Sequence, residues 1–282
     1  MSDKLIIRFD SQILNNLEAC TRKLNLASNI GYVPEHKEMS LSKGVLVHDG
    51  LKIYYRAIMD GSNRRTALDA MIEGLRMKAL KSDLEIPDSE EVVKTLTQYA
   101  LYRMEDSLMP IAVEQPFSYI LYEDDEIVIL HEGIVDLVAA DKMIKMAVVD
   151  HKSSSRNAYI SSMSNQFKGY ALAFQTPNII VNKIGFQKTL PPDQKFVRSL
   201  LSYSDSVIEE WKQKAIRKMK RYASIIHDPM LMDEANETSC DKYSGCIYRS
   251  VCEQPPSIRE HLLLTNFRVR GPWDPFKRDD DD

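Results

Sequence analysis

The stretch Ala147–Ser155, AVVDHKSSS, has the strongest bearing on the fold of this chain. Three apolar residues lead directly into Asp150, His151 and Lys152, which is the pattern of a buried strand with a charged end. Because side chains alternate along a strand, Asp150 and Lys152 are predicted to share one face, with His151 on the other. A buried carboxylate is costly unless it is paired, so the end of this strand is a candidate functional site.

The segments around this stretch predict a mixed α/β fold, with a central mixed β-sheet flanked by helices and a helical N-terminal region. Helical patterns fill the first third of the chain, with Ser11 as the cap of the first helix. From Ile111 to Lys152 the chain is rich in Val, Ile and Tyr and is broken by polar clusters, which predicts four strands. The elements expected after these strands are a helix, a strand and a long helix, at about 159–174, 179–187 and 204–226.

Composition narrows the classes of protein to which the chain can belong. Its 282 residues are 44% hydrophobic and carry a net charge of −4. This balance predicts a single domain over residues 1–275 and a disordered acidic tail over 276–282. No segment approaches the roughly 20 apolar residues of a membrane span, and the first residues lack a signal-peptide pattern. We therefore expect a cytoplasmic protein that does not bind membranes.

Asp136 lies within a second apolar strand, EGIVDLV, which a turn near Asp141 folds against the first. This pairing places Asp136 and Asp150 nearly opposite each other, where two carboxylates repel unless a proton or a cation lies between them. Carboxylate oxygens suit Mg²⁺ or Mn²⁺. With Lys152 beside them, such a site could hydrolyse a phosphodiester, because a bound metal acidifies water and neutralises phosphate charge. For Asp136 alone, a surface acid on an edge strand is the alternative interpretation.

Two further pairs of residues lie on predicted helices before and after these strands. The first is Gly44-x-x-x-His48, and the second is Gln166-x-x-x-Tyr170, which follows the strand of Lys152. The spacing of Gln166 and Tyr170 puts both side chains on one helix face. Taken alone, a helical histidine is more often structural, and the Gln–Tyr pair is more often a surface pair.

Taken together, these motifs resemble a known family. Asp136 followed by Asp150-x-Lys152 resembles the signature of the PD-(D/E)XK nucleases, although Val135 replaces the proline of that signature. The two helical pairs, in this order, resemble its RecB-like exonuclease branch. The resemblance implies a restriction-endonuclease-like core and a DNA exonuclease that depends on Mg²⁺ or Mn²⁺. The residues it assigns are His48, Asp136, Asp150 and the His151 backbone carbonyl as metal ligands, Lys152 as a catalytic residue, and Gln166 and Tyr170 as substrate-side support.

The resemblance also implies a role in DNA recombination, replication or repair, with a phage gene as one source. No P-loop is present, so an ATP-driven helicase is expected to be a separate partner. A recombination protein is the other expected partner. Two alternatives stay open. One is a nuclease fold that no longer cuts and serves as a DNA-binding module in recombination or CRISPR adaptation. The other is a metallohydrolase that acts on small phosphates.

Four cysteines are divided between the two ends of the chain, with Cys20 near the start and Cys240, Cys246 and Cys252 near the end. In a reducing cytosol they are not expected to form disulfides, whereas four thiolates can hold Zn²⁺ or a [4Fe–4S] cluster. This division resembles the iron–sulfur nucleases of the same branch, including AddB and CRISPR-associated adaptation nucleases, which implies an iron–sulfur cluster. Their usual C-x2-C-x5-C run is C-x5-C-x5-C here, a departure at Cys240. Zinc and unliganded thiols are the alternatives.

Two features could contact the phosphates of DNA. The long helix near residues 204–226 carries a basic stripe, and Ser153 continues the Asp150 strand. The basic stripe consists of Lys214, Arg217, Lys218 and Arg221. These positions share one helix face, opposite an apolar stripe that includes Trp211. Their charge could neutralise DNA phosphates, and the Ser153 hydroxyl could donate to one. No base-reading motif is present, so sequence-independent binding to single strands or to duplex ends is expected, with a merely solvated charged face as the alternative.

Overall fold

The computed structural model describes residues 4–35, 39–80, 84–154, 161–242 and 245–277. The chain divides into two compact units. Unit 1 comprises Met1–Lys37, Ser118–Gly133 and Glu209–Asp282, and unit 2 comprises Glu38–Phe117 and Ile134–Ile208. The single domain over 1–275 stays a prediction. Of the acidic tail at 276–282, everything beyond residue 277 lies outside the described residues.

The described residues form eight strands and eleven α-helices. The strands are β1 Leu5–Phe9, β2 Tyr32–Pro34, β3 Met109–Glu123, β4 Ile127–Ala140, β5 Ala147–Ser154, β6 Asn178–Gly185, β7 Phe196–Ser202 and β8 Phe267–Val269. The helices are α1 Ser11–Ala19, α2 Thr21–Leu24, α3 Met39–Met59, α4 Arg64–Ala79, α5 Ile86–Tyr102, α6 Asn165–Ala173, α7 Pro192–Lys195, α8 Asp205–Ile225, α9 Pro229–Met232, α10 Arg249–Cys252 and α11 Pro256–Asn266. None of the helices in this part of the chain is both long and apolar enough to cross a membrane.

Unit 2 contains a mixed sheet with helices on both faces, which confirms the predicted fold class. The second half of β4 is antiparallel to β5, β5 is parallel to β6, and β6 is antiparallel to β7. Leu137 and Val149 pack on the side of α3, α4 and α5. Val138 and Val148 pack on the other side, against Phe167 of α6. Apolar side chains therefore alternate between two cores along each strand, as a sheet buried on both faces requires.

Unit 1 is built around shorter strands and helix α8. Strand β1 lies parallel to the first half of β4, from the Leu5–Ile127 pair to Phe9–His131, and β2 pairs antiparallel with β8. The apolar stripe of α8 is buried as its periodicity predicts, with Trp211 against the His131 ring at 5.7 Å. A separate small core forms around the C-terminal segment, from Leu26, Tyr248, Val251, Leu263 and Phe267.

The structure corrects some of the predicted elements. Three strands, not four, occupy the segment from Ile111 to Lys152, because β3 and β4 run without interruption to a tight turn. In that turn the Asp124 carboxylate accepts hydrogen bonds from the backbone of Glu126 and Ile127. The first helix is capped by Asp10 rather than Ser11, since the Asp10 carboxylate accepts from the Ile13 N–H at 2.8 Å. The start of the helix expected at about 159 lies outside the described residues, and α6 begins at Asn165.

Candidate active site

Asp136 and Asp150 lie at neighbouring positions on β4 and β5. The Leu137–Val149 pair fixes the register, and the two carboxylates are one step beyond it. Both side chains are buried, at 8% and 3% exposure, in a sheet whose neighbouring residues are apolar. Two carboxylates held this close in a buried position are the arrangement that the strand pairing predicts.

Helix α3 brings His48 to Asp136. His48 Nδ1 is 3.3 Å from Asp136 Oδ1. One turn earlier on the same helix, Gly44 lies so close to β5 that an added Cβ would be 3.4 Å from the Ser153 hydroxyl oxygen. Gly44 and His48 thus both face the end of β5, and an added Cβ at Gly44 would come into close van der Waals contact with Ser153.

The His151 ring points away from the Asp150 face, as strand alternation predicts. It stacks on Tyr55 of α3, with ring centroids 5.6 Å apart and an interplanar angle of 8°. Its backbone N–H donates to Asp136 Oδ2 at 2.8 Å. His151 therefore reaches the Asp136 carboxylate through its main chain, while its imidazole is buried on the opposite face.

Lys152 is held by two groups on the Asp150 face. Its Nζ lies 2.9 Å from Asp150 Oδ2 and donates to Gln166 Oε1 at 3.1 Å. The Gln166 amide in turn donates to the Tyr170 hydroxyl at 2.9 Å, so the two α6 residues share one face as their spacing predicts. The Lys152 side chain keeps 47% exposure, which leaves its ammonium accessible to a substrate.

The electrostatics of this site favour a bound cation. Burial raises the pKa of Asp150; Lys152 opposes this shift, and the neighbouring Asp136 carboxylate adds to it. Asp136 Oδ1 lies beside the His48 imidazole, Asp136 Oδ2 accepts from the His151 N–H, and Asp150 Oδ2 lies beside the Lys152 ammonium. Among the described residues no three His, Cys, Asp or Glu side chains are spaced to hold a metal ion. The donor set, two carboxylates with an imidazole and a strand carbonyl, nevertheless fits a hard divalent cation by its chemistry.

Four polar residues behind His151 were not predicted from the sequence. Asn182 on β6 and Arg198 on β7 are the cross-strand neighbours of His151, in the order His151–Asn182–Arg198. Tyr55 and Tyr99, from α3 and α5, contact this row through their hydroxyl groups. A polar residue inside each apolar strand, as in IIVNKIG and FVRSLLS, is the signal that could have found Asn182 and Arg198.

The four cysteines lie together in unit 1. All of them line one cavity of about 40 Å³ between the Ala19–Leu26 segment and the C-terminal cysteine segment. Burial raises the pKa of the Cys240 thiol, and the other three thiols add to the shift. The Cys20 segment is tied to residues near 234 by hydrogen bonds, including that of Asn236 N–H to Cys20 Sγ at 3.4 Å. The arms that the sequence separates are therefore adjacent, and each thiol is partly exposed.

The basic stripe of α8 faces outward. Lys214, Arg217 and Arg221 are exposed and Lys218 is half-buried. Lys214 is paired with Glu18 at 2.8 Å, which reduces the charge it can offer to a phosphate. Ser153, on the Asp150 strand, is half-buried and lies beside Gly44.

Comparison with known proteins gives distant structural likenesses. No protein-family model and no curated protein matches the chain. The crystal structure of SSO0001 is 13% identical, covers 74% of this chain and 82% of its own, and has a TM-score of 0.34. An alkaline exonuclease from Laribacter hongkongensis, LHK-Exo, is 8% identical over 64% of this chain and 89% of its own, with a TM-score of 0.31. Its complex with dAMP is 10% identical over 64% and 93%, also at 0.31. Likenesses this low establish neither a shared fold nor a shared activity.

Proposed function

We propose that this chain is a metal-dependent deoxyribonuclease of the PD-(D/E)XK type, acting as an exonuclease in DNA recombination, replication or repair. The observation that carries the proposal is the pair of buried carboxylates, Asp136 and Asp150, with Lys152 2.9 Å from the second of them. A salt bridge alone would not require the second acid, because two adjacent carboxylates raise each other's free energy unless a cation joins them.

In this proposal Asp136, Asp150, His48 and the His151 carbonyl hold Mg²⁺ or Mn²⁺. The metal, when bound, supplies an acidified water and neutralises charge on the phosphate. Lys152 orients that water or stabilises the developing negative charge. Gln166 positions the Lys152 ammonium, and Tyr170 holds the Gln166 amide, so that both act beside the substrate.

The proposed substrate is DNA, bound without sequence preference as single strands or duplex ends. The support comes from the exposed part of the basic stripe and from the absence of a base-reading motif. Ser153, on the strand of Asp150, is a proposed donor to a phosphate. A helicase or a recombination protein is a proposed partner, as the resemblance to RecB-like exonucleases implies.

We also propose that Cys20, Cys240, Cys246 and Cys252 hold a [4Fe–4S] cluster, with Zn²⁺ as the alternative. The support is their common cavity and the two-arm arrangement of the thiols. The same four thiols can hold a single zinc ion or a cluster. Metal analysis of anaerobically purified protein separates the two: iron and sulfide with a visible absorption that dithionite bleaches support the cluster, and zinc in a colourless protein overturns it.

The test of the nuclease proposal uses end-labelled linear DNA and covalently closed circular DNA, each with Mg²⁺ or Mn²⁺. We expect nucleotides to be released from linear DNA while circles stay intact, and Lys152→Met to lower the rate by about 10²–10⁴-fold. Lys142→Met, at an exposed lysine in the β4–β5 turn, is the matched control and should keep full activity.

Three outcomes would contradict parts of this proposal. If linear DNA stays intact with Mg²⁺ and with Mn²⁺, the chain is not a deoxyribonuclease. Binding of that DNA without cleavage would identify a DNA-binding module. Cleavage of small phosphate esters but not of DNA would identify a different metallohydrolase. Cleavage of the circles would exclude a strict exonuclease and leave the phosphodiesterase chemistry in place.

A further inference from the structure

A buried row of polar side chains crosses three strands of unit 2 behind the candidate active site. His151, Asn182 and Arg198 are consecutive cross-strand neighbours on β5, β6 and β7. Asn182 is fully buried, and Arg198 is largely so. Interior polar groups on adjacent strands weaken a sheet core unless each is hydrogen-bonded, so such a row calls for a functional explanation.

The end of the row farthest from His151 is anchored by an ion pair. Arg198 Nη1 lies 2.5 Å from Asp106 Oδ2, and the Arg198 Nη2 donates to the hydroxyls of Tyr55 and Tyr99 at 3.0 and 2.9 Å. The two hydroxyls also contact each other at 2.7 Å. Three groups therefore hold one guanidinium, and its planar geometry fixes the direction in which Nε points.

The direction of Nε fixes the Asn182 amide. Arg198 Nε donates to Asn182 Oδ1 at 3.3 Å, and the Tyr99 hydroxyl donates to the same oxygen at 3.3 Å. Because a guanidinium can only donate, the oxygen of the amide must face Arg198 and its nitrogen must face His151. Asn182 Nδ2 then donates to His151 Nδ1 at 3.0 Å. The imidazole is thus held on one edge by this hydrogen bond and on one face by Tyr55.

The main chain of His151 contacts the candidate active site. Its N–H donates to Asp136 Oδ2 at 2.8 Å, and its side chain is 2% exposed. The Asn182 hydrogen bond and the Tyr55 ring limit the movement of His151 within β5, and with it the movement of the N–H that the Asp136 carboxylate accepts. The same row therefore connects Arg198, on the edge strand β7, to Asp136.

We propose that Arg198 and Asn182 are positioning residues: they hold the His151 imidazole so that the His151 N–H keeps Asp136 in its metal-binding orientation. The positioning of Asp136 follows from the hydrogen bonds that join Arg198, Asn182 and His151 to it. Its consequence for metal binding rests on the proposed nuclease function. Arg198 acts on Asn182, and Asn182 acts on the site through its hydrogen bond to His151.

The test compares the wild-type protein with Asn182→Leu, which keeps the branched shape of the side chain but removes its three hydrogen bonds, to Arg198, Tyr99 and His151. Two quantities are measured: hydrogen–deuterium exchange of the His151 amide without metal, and the Mn²⁺ dissociation constant. We expect the amide of the folded variant to exchange at least about tenfold faster, and Mn²⁺ affinity to fall by about 10–100-fold, the range for groups that orient metal ligands. Unchanged exchange and unchanged Mn²⁺ affinity in a folded variant would overturn the proposal.

A second pair of variants keeps the proposal testable if Asn182→Leu does not fold. Tyr54 and Tyr55 are adjacent, fully buried tyrosines of α3, and only the Tyr55 hydroxyl contacts Arg198. Tyr55→Phe should speed exchange of the His151 amide and weaken Mn²⁺ binding several-fold, while Tyr54→Phe should change neither. Equal behaviour of the two variants would overturn the proposal. Wild-type protein that binds no Mn²⁺ but shows the expected exchange differences would instead overturn the proposed nuclease function and leave the positioning of Asp136 supported.

Discussion

The two candidate metal sites of this chain are built in opposite ways. The Asp136 and Asp150 site lies at the end of paired strands, and its side chains are held by hydrogen bonds to neighbours on helices and on the next strand. The cysteine site lies on short helices and turns, and all four of its thiols are partly exposed. The carboxylates are therefore held by contacts to the protein, whereas the four thiols are partly exposed on short elements.

This difference predicts opposite consequences for substitutions. Removing a carboxylate should abolish activity at little cost to folding, because its neighbours remain packed. If the thiols hold a metal or a cluster as proposed, removing one of them should mainly destabilise unit 1, because metal binding would add to the stability of its small core.

The largest expected effect is on catalysis. Asp150→Asn should lower DNA cleavage by at least about 10³-fold, because the amide is neutral and binds a divalent cation poorly. Its thermal unfolding midpoint should stay unchanged or rise, since burial raises the pKa of Asp150 and so makes its charged form unfavourable in the fold. Calorimetry alongside the cleavage assay measures both quantities. A variant that loses activity only because it unfolds would show that Asp150 is needed for folding and not for catalysis.

Substitutions of two cysteines test which thiols are ligands. Cys252→Ser should lose bound metal and lower the free energy of unfolding by on the order of several kcal/mol. Cys240→Ser should do the same if all four thiols are ligands, although its spacing departs from the pattern of iron–sulfur nucleases. Metal content per chain decides this: full occupancy in Cys240→Ser would remove Cys240 from the ligand set.

An intermediate effect concerns the pH dependence of unit 1. Burial lowers the pKa of His131 to about 3 from its ordinary value of 6.5. Below about pH 6.5, His131 is protonated in the unfolded chain but stays neutral in the folded protein. The free energy of unfolding should therefore fall by about 2 kcal/mol between pH 7 and pH 5. His131→Phe keeps the ring between Phe9 and Trp211 and should flatten this slope. Urea unfolding of both proteins across this range is the measurement, and equal slopes would count against a neutral His131.

The smallest effect is expected on the basic stripe. Arg217→Gln and Arg221→Gln should each weaken DNA binding a few-fold and reduce the salt slope of the affinity by about 1. Lys214→Gln should have less effect, because Lys214 is already paired with Glu18. Fluorescence anisotropy at several salt concentrations gives the slopes. Three unchanged slopes would show that the stripe is a solvated face.

The sequence predicts those parts of the site that depend on local periodicity. Asp150, His151 and Lys152 alternate as a strand requires, and Gln166 and Tyr170 share a helix face. The pairing of β4 with β5 was also predictable, because a short turn joins them. What failed locally was fine detail, such as the capping of α1 by Asp10 instead of the adjacent Ser11.

Contacts that depend on distant parts of the chain could not be predicted. Strand β7 was missed, and with it Arg198, whose alignment with Asn182 is set by a register between non-local strands. The contact of Tyr55 with His151 likewise depends on how closely α3 approaches the sheet. Burial and register, rather than residue type, determine these contacts.

Single-turnover cleavage of end-labelled linear DNA with saturating Mn²⁺ tests whether Asp136 and Asp150 hold one metal site. It compares wild-type protein, Asp136→Asn, Asp150→Asn and the double variant. If the two carboxylates hold one metal site, each single substitution should cost nearly as much as the double, because either removes the site. If the rate losses of the two single variants multiply in the double variant, the carboxylates do not act as one metal site. Wild-type protein that leaves the DNA intact would contradict the proposed nuclease activity itself.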